Sequence, residues 1–234
     1  MKKCLNIAHR GATAYFPDNT LLAFQKAIEI GADAIELDVH LSSDGEIMVI
    51  HDEQIDRTTN GLGYVNQFSL EQLQSFQVGE VEKISTLTEV FDLVNRQCLI
   101  NIELKSYETA QKVVALIEHY VSEKNWKYVD FLVSSFDWNA LKAVHSLNTN
   151  IQLGVLTTAD LELALDFAVT INAYAVHPHF SLLTKESCNV IRQKNLLIFT
   201  WTVNEVDEIK RVLRLGVDGI ISDYPDRISA INFF

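Results

Sequence analysis

The chain has 234 residues, 48% of them hydrophobic, and its 31 acidic and 19 basic residues give a formal net charge of −12 at pH 7. This length suits one α/β barrel or two small domains, while the negative field repels nucleic acid and argues against a nuclease or another nucleic-acid-binding protein. The three cysteines are scattered and no apolar run approaches the ~20 residues of a membrane span, so we expect a cytoplasmic protein without a disulfide framework, thiolate zinc site or membrane anchor.

Short apolar runs alternate with helix-like stretches along the whole chain. The runs predict eight strands, at residues 6–9, 34–40, 99–103, 129–134, 151–156, 173–177, 197–202 and 219–222. Periodic apolar residues between them predict helices at residues 20–30, 88–96, 109–123, 139–146, 160–169, 185–193 and 205–215. This alternation indicates βα units and a parallel sheet, and eight units favour an α/β TIM barrel, (β/α)8. An open, doubly wound sheet is the alternative, although no G-x-G-x-x-G turn follows the first strand.

One segment interrupts the alternation between the second strand and its helix. Residues 47–50 predict a small extra strand, and the polar, glycine-containing stretch 56–63 follows it. We interpret residues 52–85 as a small insertion after the second strand, placed at one mouth of the barrel. No linker or low-complexity tract divides the chain, so residues 1–234 are expected to form one domain.

Charged residues and histidines gather where the first predicted strands end. His9 and Arg10 follow the first strand, and His51 follows the small extra strand. Glu36 and Asp38 close the second strand and point to the same side of it, because a strand has a period of two. At or just after the ends of later strands stand Glu103, Lys105, Ser134, His177 and Trp201. Because the chemistry of TIM barrels lies at the carboxyl ends of the strands, this clustering predicts an enzyme.

Three carboxylates in one place need a counter-charge. Two unit charges ~4 Å apart at an effective dielectric constant of ~20 repel by about 4 kcal/mol. Convergence of Glu36, Asp38 and Glu103 would therefore cost on the order of 12 kcal/mol if all three stayed ionised. Protons or a divalent cation would relieve this repulsion, and ligands that are all oxygen suit Mg²⁺ or Ca²⁺ better than zinc. A cation together with imidazoles and basic side chains is typical of metal-assisted chemistry on a phosphate.

Several motifs follow one another in the order of a known family. They are HRGATAYFPDNTLLAF, AIELDVHLSSDGEIMVIHDEQIDRTTNGLG, NIELK, TWTVN and DGIISDYP. With these strings, which span His9 to Pro225, the chain resembles the bacterial glycerophosphodiester phosphodiesterase family. It departs from the family pattern at Asp18, where the family more often has Glu. Because Asp18 lies at the entry to the first helix, we expect this departure to have little effect on the chemistry.

The resemblance implies a TIM barrel with a small insertion after the second strand. It also implies hydrolysis of glycerophosphodiesters, which are small-molecule substrates of lipid and glycerol metabolism, to glycerol 3-phosphate and an alcohol, with a divalent cation, Mg²⁺ or Ca²⁺, as cofactor. The residue roles that it implies are Glu36, Asp38 and Glu103 as metal ligands, His9 and His51 as the general acid and base, and Arg10 and Lys105 as the groups that hold the phosphate. It leaves open which histidine is the acid, whether water or the neighbouring glycerol hydroxyl is the nucleophile, and whether the protein is a monomer or a homodimer.

Three of these candidates have a plain structural alternative. Glu103 and Lys105 share a strand face and could simply pair with each other. Trp201 is predicted to form a pocket wall that packs on the glycerol, but it could instead fill a layer of the barrel.

Other polar and aromatic side chains carry weaker signals. Phe136 and His177 could line the mouth of the barrel, but packing elsewhere is the favoured interpretation of both. Asp223 is expected to order the last loop rather than take part in chemistry, and His40 to hydrogen-bond locally. His119 falls in a predicted helix and is interpreted as a surface or packing residue.

Other functions compete with the diesterase. A lysophospholipase D or a phosphoinositide-type phospholipase C would need an apolar mouth for acyl chains. The insertion could supply one, or form a small core of its own, with Phe68, Leu70, Leu73 and Phe76. A non-catalytic barrel that binds a phosphorylated ligand would be expected to have lost polar site groups, and the central ones are all present. A metal-dependent lyase would need a Schiff-base lysine or an enolate-stabilising pair, which two histidines beside a phosphate site suit less well.

Overall fold

Eight parallel strands close into a barrel in the computed structural model, which describes residues 3–231. In chain order the strands and helices are β1 (Leu5–His9), α1 (Leu21–Ile30), β2 (Ala34–Leu41), β3 (Ile47–Val49), α2 (Leu70–Ser75), β4 (Gln77–Val78), β5 (Glu82–Lys83), β6 (Ser85–Thr86), α3 (Leu87–Val94), β7 (Leu99–Leu104), α4 (Thr109–Glu123), β8 (Phe131–Ser135), α5 (Trp138–Leu147), β9 (Gln152–Thr157), α6 (Leu161–Thr170), β10 (Ala175–Pro178), α7 (Lys185–Gln193), β11 (Leu197–Thr200), α8 (Val206–Leu215), β12 (Gly219–Ser222) and α9 (Pro225–Ile231). Around the barrel the order is β1, β2, β7, β8, β9, β10, β11 and β12, and β12 pairs back with β1. The predicted TIM barrel is confirmed.

The predicted elements differ from the observed ones mainly at their ends. Strand β8 begins at Phe131 rather than at residue 129, because Tyr128–Asp130 forms a 3₁₀ turn. The backbone amide of Lys127 donates to the Asp130 carboxylate at 2.7 Å and stabilises that turn. Strand β11 ends at Thr200. Helices α2 and α9 and the short strands β4, β5 and β6 were not predicted.

Local sequence signals set the ends of the helices. At the start of α1 the Thr20 hydroxyl accepts a hydrogen bond from the Ala23 amide, and Gly31, with a φ of 88°, ends the helix in the left-handed conformation. At the start of α3 the Thr86 hydroxyl and the Glu89 side chain form a capping box. None of the helices formed by residues 3–231 is long and apolar enough to cross a membrane.

Apolar side chains form separate layers on the two faces of the barrel sheet. Ile35 and Leu37 of β2 point outward and belong to the main core between strands and helices. A smaller cluster lies on the inner face, and it consists of Ile7, Ala34, Leu132, Ala175, Phe199 and Ile221. Because successive side chains of a strand alternate, β2 places Glu36 and Asp38 on the same inner face as Ala34, nearer the carboxyl end. The inner apolar cluster therefore supports a polar layer at the barrel mouth.

Between β2 and α3 the chain leaves the barrel and forms a small body of its own. Strand β3 pairs antiparallel with β2, β6 pairs with β3, and β4 and β5 form a separate hairpin. The buried residues of this body are Met48, Ile50, Ile55, Val65, Leu73, Val78 and Ile84. Phe68, Leu70 and Phe76 pack against them. Of the two alternatives for these apolar residues, an apolar mouth for acyl chains or a small core of their own, the structure shows the small core.

Candidate active site

The register of the barrel brings three carboxylates together. Asp38 pairs with Glu103 across β2 and β7, and Glu36 lies two residues before Asp38 on the same face. Ligand oxygens of Glu36, Asp38 and Glu103 all lie within 4.8 Å of one another. All three side chains are buried. This arrangement is the convergence on which the electrostatic argument for a cation depended.

Burial and mutual repulsion divide the protonation states of the three acids. Burial and the charge of Asp38 raise the pKa of Glu36 to about 8, and the same two causes raise the pKa of Glu103. Burial also acts to raise the pKa of Asp38, but the charges of Lys105 and Arg10 outweigh it and hold that pKa below its usual range. Protons therefore carry part of the counter-charge near neutral pH.

The three acids fit a hard divalent cation. Their donor atoms are all oxygen, and each can supply one ligand atom, with these atoms within 4.8 Å of one another. Besides burial, the charge of Asp38 raises the pKa of Glu36 and of Glu103, and a cation would relieve this repulsion. Oxygen ligands of this kind suit Mg²⁺ or Ca²⁺.

Arg10 is placed by an unusual turn after β1. Arg10 and Gly11 both have positive φ, 53° and 86°, and a Cβ at Gly11 would lie 2.6 Å from the carbonyl carbon of Ala23. Only glycine fits this close approach. The turn directs the Arg10 amide to Glu36 Oε2 at 2.9 Å, and the Arg10 side chain lies over the acids, with Nε 3.3 Å from Asp38 Oδ2.

A second cation and an amide complete the surroundings of the acids. Lys105 Nζ lies 2.7 Å from Glu103 Oε1 and 3.4 Å from Asp38 Oδ1. The Glu103–Lys105 ion pair considered as an alternative is therefore present, but Lys105 also reaches the acid cluster. Asn19, which the sequence argument did not single out, donates from Nδ2 to Asp38 Oδ2 at 3.0 Å and accepts from the Asp38 amide at 3.3 Å.

Each of the two candidate histidines has an aspartate on its Nδ1. His9 Nδ1 lies 2.6 Å from Asp223 Oδ1, and Asp223 in turn accepts from Asn204 Nδ2 at 2.6 Å. His51 Nδ1 lies 2.6 Å from Oδ1 of the adjacent Asp52. An ionised carboxylate only accepts hydrogen bonds, so both imidazoles carry a proton on Nδ1.

The two aspartates were missed from the sequence. Asp223 was expected to order the last loop; the structure places its carboxylate on His9. The position of Asp52 directly after His51 was a usable signal, since a side chain one residue away can reach the imidazole. No such local signal exists for Asp223, which lies 214 residues from His9.

Asp18 belongs to the same network of charges. Its Oδ2 lies 3.2 Å from Arg10 Nη1 and 3.0 Å from Arg57 Nη2. Arg57 also donates from Nε to Asp52 Oδ2 at 2.5 Å. Asp18 therefore contacts Arg10, a candidate phosphate-binding residue. Its place at the entry to the first helix is thus no reason to expect that a change at this position has little effect on the chemistry.

A small cavity of about 110 Å³ opens at the centre of these groups. Seven of the eight predicted site residues line it, namely His9, Arg10, Glu36, His51, Glu103, Lys105 and Trp201. Trp201 and Phe136 form an aromatic wall, with ring centroids 5.3 Å apart in an edge-to-face arrangement, and Trp201 Nε1 donates to the His177 carbonyl at 2.8 Å. The side chains predicted to meet at the barrel mouth are thus in one place.

His177 does not line that cavity. Its side chain is fully buried, its ring packs 5.3 Å from the Phe199 ring, and burial lowers its pKa to about 3. Packing inside the barrel, the favoured interpretation of His177, is therefore what the structure shows, whereas Phe136 lines the cavity. His40 hydrogen-bonds locally, as expected, with Nε2 3.1 Å from the His51 carbonyl oxygen.

Sequence and structure comparisons point to one group of enzymes. The model of the glycerophosphoryl diester phosphodiesterase family matches residues 9–227. A glycerophosphodiester phosphodiesterase of Caldanaerobacter subterraneus subsp. tengcongensis is 36% identical over 239 residues, covering 97% of this chain and 96% of that protein. One of Bacillus altitudinis is 40% identical over 237 residues, covering 94% of each.

Solved structures give the same result. An Oleispira antarctica phosphodiesterase in complex with the product sn-glycerol-3-phosphate is 26% identical, with a TM-score of 0.87 over 96% of this chain and 94% of that one. A glycerophosphodiester phosphodiesterase of Thermotoga maritima is 30% identical, with a TM-score of 0.81 over 98% of both chains.

Proposed function

The chain belongs to the glycerophosphoryl diester phosphodiesterase family and is a glycerophosphodiester phosphodiesterase. We propose that it releases glycerol 3-phosphate and an alcohol from its substrate with the aid of a divalent cation, Mg²⁺ or Ca²⁺. The observation that carries this proposal is the set of three buried carboxylates with ligand oxygens within 4.8 Å of one another. The glycerol 3-phosphate bound by the Oleispira antarctica relative supports the same substrate class.

The carboxylates of Glu36, Asp38 and Glu103 would hold the cation. Bound there, a divalent ion would neutralise part of the charge on a phosphate oxygen and make the phosphorus more electrophilic. The protein's part is to keep three acids in place for it. It does so through the paired register of β2 and β7, through Asn19, which is bonded to both the carboxylate and the amide of Asp38, and through the Arg10 amide on Glu36.

Arg10 and Lys105 would bind the substrate phosphate. The chain as a whole repels an anion, but these two cations lie at the cavity and reverse the local sign. The five N–H donors of Arg10 are not exhausted by Asp18 and Asp38, so the planar guanidinium retains donors for a phosphate oxygen. Lys105 has three donors and adds a compact charge beside Glu103.

His9 and His51 would move the protons of the reaction. One imidazole removes a proton from the nucleophile, and the other gives one to the departing alcohol. Because an aspartate holds each Nδ1, Nε2 is the atom left for proton transfer in both rings.

Cation dependence is the direct test of this proposal. Release of glycerol 3-phosphate from glycerophosphocholine should disappear after dialysis against excess EDTA and return when Mg²⁺ or Ca²⁺ is added. The isosteric variant Asp38→Asn should not regain activity at the same cation concentration, because it removes a ligand charge. Full turnover of the wild-type protein in excess EDTA would contradict the metal site.

The same assay separates this activity from that of a lysophospholipase D. With lysophosphatidylcholine as substrate we expect little turnover, since the apolar residues of the inserted segment pack into their own core rather than into the cavity.

A further inference from the structure

Two neutral polar side chains at the bottom of the cavity lack partners. Asn101 of β7 and Ser134 of β8 point into the barrel; Ser134 pairs in register with Glu103, and Asn101 lies two residues before Glu103 on the same face. Both residues are 1% exposed. Among residues 3–231, neither Asn101 Oδ1 nor Ser134 Oγ has a hydrogen-bond partner. Buried polar atoms are nearly always hydrogen-bonded, so each such atom requires an explanation.

The neighbouring serine shows that a lack of partners is not general to this strand. Ser135 is equally buried, but its hydroxyl donates to the Leu104 carbonyl at 2.6 Å and accepts from the Asp137 amide at 3.0 Å. Side chains alternate along β8, so Ser135 points to the outer face. The unpartnered hydroxyl is therefore the one that faces the cavity.

Both of these side chains line the cavity of the candidate active site. Asn101 and Ser134 line it together with His9, His51 and Glu103. The other buried atoms without a hydrogen-bond partner on Asn6, Ser85 and His177 belong to residues that do not line it. Within the described part of the chain, Arg10 Nε is also without a hydrogen bond and Arg10 lines the cavity, but this charged atom lies 3.3 Å from Asp38 Oδ2 in an ion pair. The free atoms of Asn101 and Ser134 are therefore at the place where a substrate would be held.

The chemistry of the two groups selects a hydroxyl. The carboxamide oxygen of Asn101 only accepts, so its ligand must donate, and the Ser134 hydroxyl can donate or accept. Neither side chain is charged, so they suit a neutral group rather than a second anion. The aromatic wall of Phe136 and Trp201 can cover the carbon atoms of the same ligand.

We propose that Asn101 and Ser134 form a subsite for a hydroxyl group of the substrate's glycerol. This proposal rests on the proposed function. It adds the residues by which the enzyme would distinguish a glycerol diester from a diester whose alcohol part has no free hydroxyl. Sites that hydrogen-bond a hydroxyl reject analogues that lack it, because their own buried groups are then left unpaired.

Binding of two matched monoesters tests the subsite without catalysis. We would measure the Kd of sn-glycerol 3-phosphate and of n-propyl phosphate, which has the same carbon chain and no hydroxyl, by calorimetry with Mg²⁺ present. The wild-type protein should bind glycerol 3-phosphate more tightly. Ser134→Ala and Asn101→Leu should each reduce the ratio of the two Kd values by roughly fivefold or more, while the affinity for n-propyl phosphate changes little.

Ser135→Ala is the matched control. It removes an equally buried hydroxyl from the same strand, and it should leave the ratio of the Kd values unchanged. The inference is wrong if the wild-type protein does not discriminate between the two ligands, or if both Ser134→Ala and Asn101→Leu keep the wild-type ratio. Failure of the proposed function looks different, since the wild-type protein would then release no glycerol 3-phosphate from any diester.

Discussion

The two histidine–aspartate pairs of the site have the same Nδ1–Oδ1 distance, 2.6 Å, but are built in different ways. His9 ends β1 and Asp223 follows β12, so both are attached to neighbouring strands of the closed sheet. His51 and Asp52 lie outside the barrel strands, after β3, and Arg57, which donates to both Asp52 and Asp18, links them to the rest of the site. The first pair is positioned by the pairing of two barrel strands, whereas the second combines a hydrogen bond from His40 to the His51 carbonyl with ion pairs to Arg57.

The surroundings of the two pairs give the imidazoles opposite tendencies. Burial lowers the pKa of His9, but the hydrogen bond with Asp223 and the charge of Glu36 outweigh it, and the pKa lies above its ordinary value. Burial lowers the pKa of His51 by more than Asp38 and Asp52 raise it. The less exposed pair thus favours the charged imidazole, whereas the more exposed pair favours the neutral one.

Removing either imidazole should have the largest effect. His9→Ala and His51→Ala are each expected to lower kcat by roughly 10²- to 10⁴-fold, because a positioned proton donor or acceptor is lost. Steady-state release of glycerol 3-phosphate measures this. His119→Ala, on the exposed face of α4, is the control and should have wild-type turnover. Near-normal turnover in either site variant would end the assignment of two proton-transfer groups.

Replacing the aspartates should give a smaller loss and separate the two pairs by pH. Asp223→Asn and Asp52→Asn should each reduce kcat by on the order of 10²-fold, because the carboxamide no longer fixes the imidazole tautomer. Loss of a carboxylate also destabilises the charged imidazole, so Asp223→Asn should lower the pKa of His9 and move its limb of the kcat/KM profile to lower pH. An unmoved profile in Asp223→Asn would show that this contact does not control the titration of His9.

Arg57 should have the smallest effect and show whether the pairs are independent. Its side chain is 51% exposed, and exposed ion pairs contribute ~1 kcal/mol or less, so Arg57→Gln should reduce kcat by about fivefold or less. The loss should be additive with Asp223→Asn and non-additive with Asp52→Asn, because of these two aspartates it is Asp52 that Arg57 contacts. If the loss from Arg57→Gln were additive with Asp52→Asn as well as with Asp223→Asn, Arg57 would not act through Asp52 and His51.

The barrel followed from the sequence because each of its eight strands, and each of the seven helices α1 and α3 to α8, carried its own signal. Alternating apolar runs set the eight strands, and the period of two put Glu36 and Asp38 on one face. The β8 boundary did not follow, because the Lys127–Asp130 capping contact depends on side-chain geometry within a 3₁₀ turn.

Contacts between distant segments could not be predicted in the same way. Asp223 reaches His9 only because β12 closes on β1, and nothing near either residue in the chain reports that neighbour. His177 lies near the end of a strand, as predicted. How deep its side chain lies in the barrel depends on packing against the Phe199 ring, which the sequence pattern does not report. Strand periodicity gives the direction of a side chain and leaves its height in the barrel undetermined.

The closing of β12 on β1 also has a consequence for biosynthesis. His9 is made 214 positions before Asp223, its carboxylate partner on the far side of that seam. A polypeptide whose translation stops before β12 can already contain Glu36, Asp38, Glu103 and His51, yet its first imidazole would have no anchor. Hydrolytic competence should therefore arise abruptly when the final strand joins, rather than growing with the length of the nascent chain.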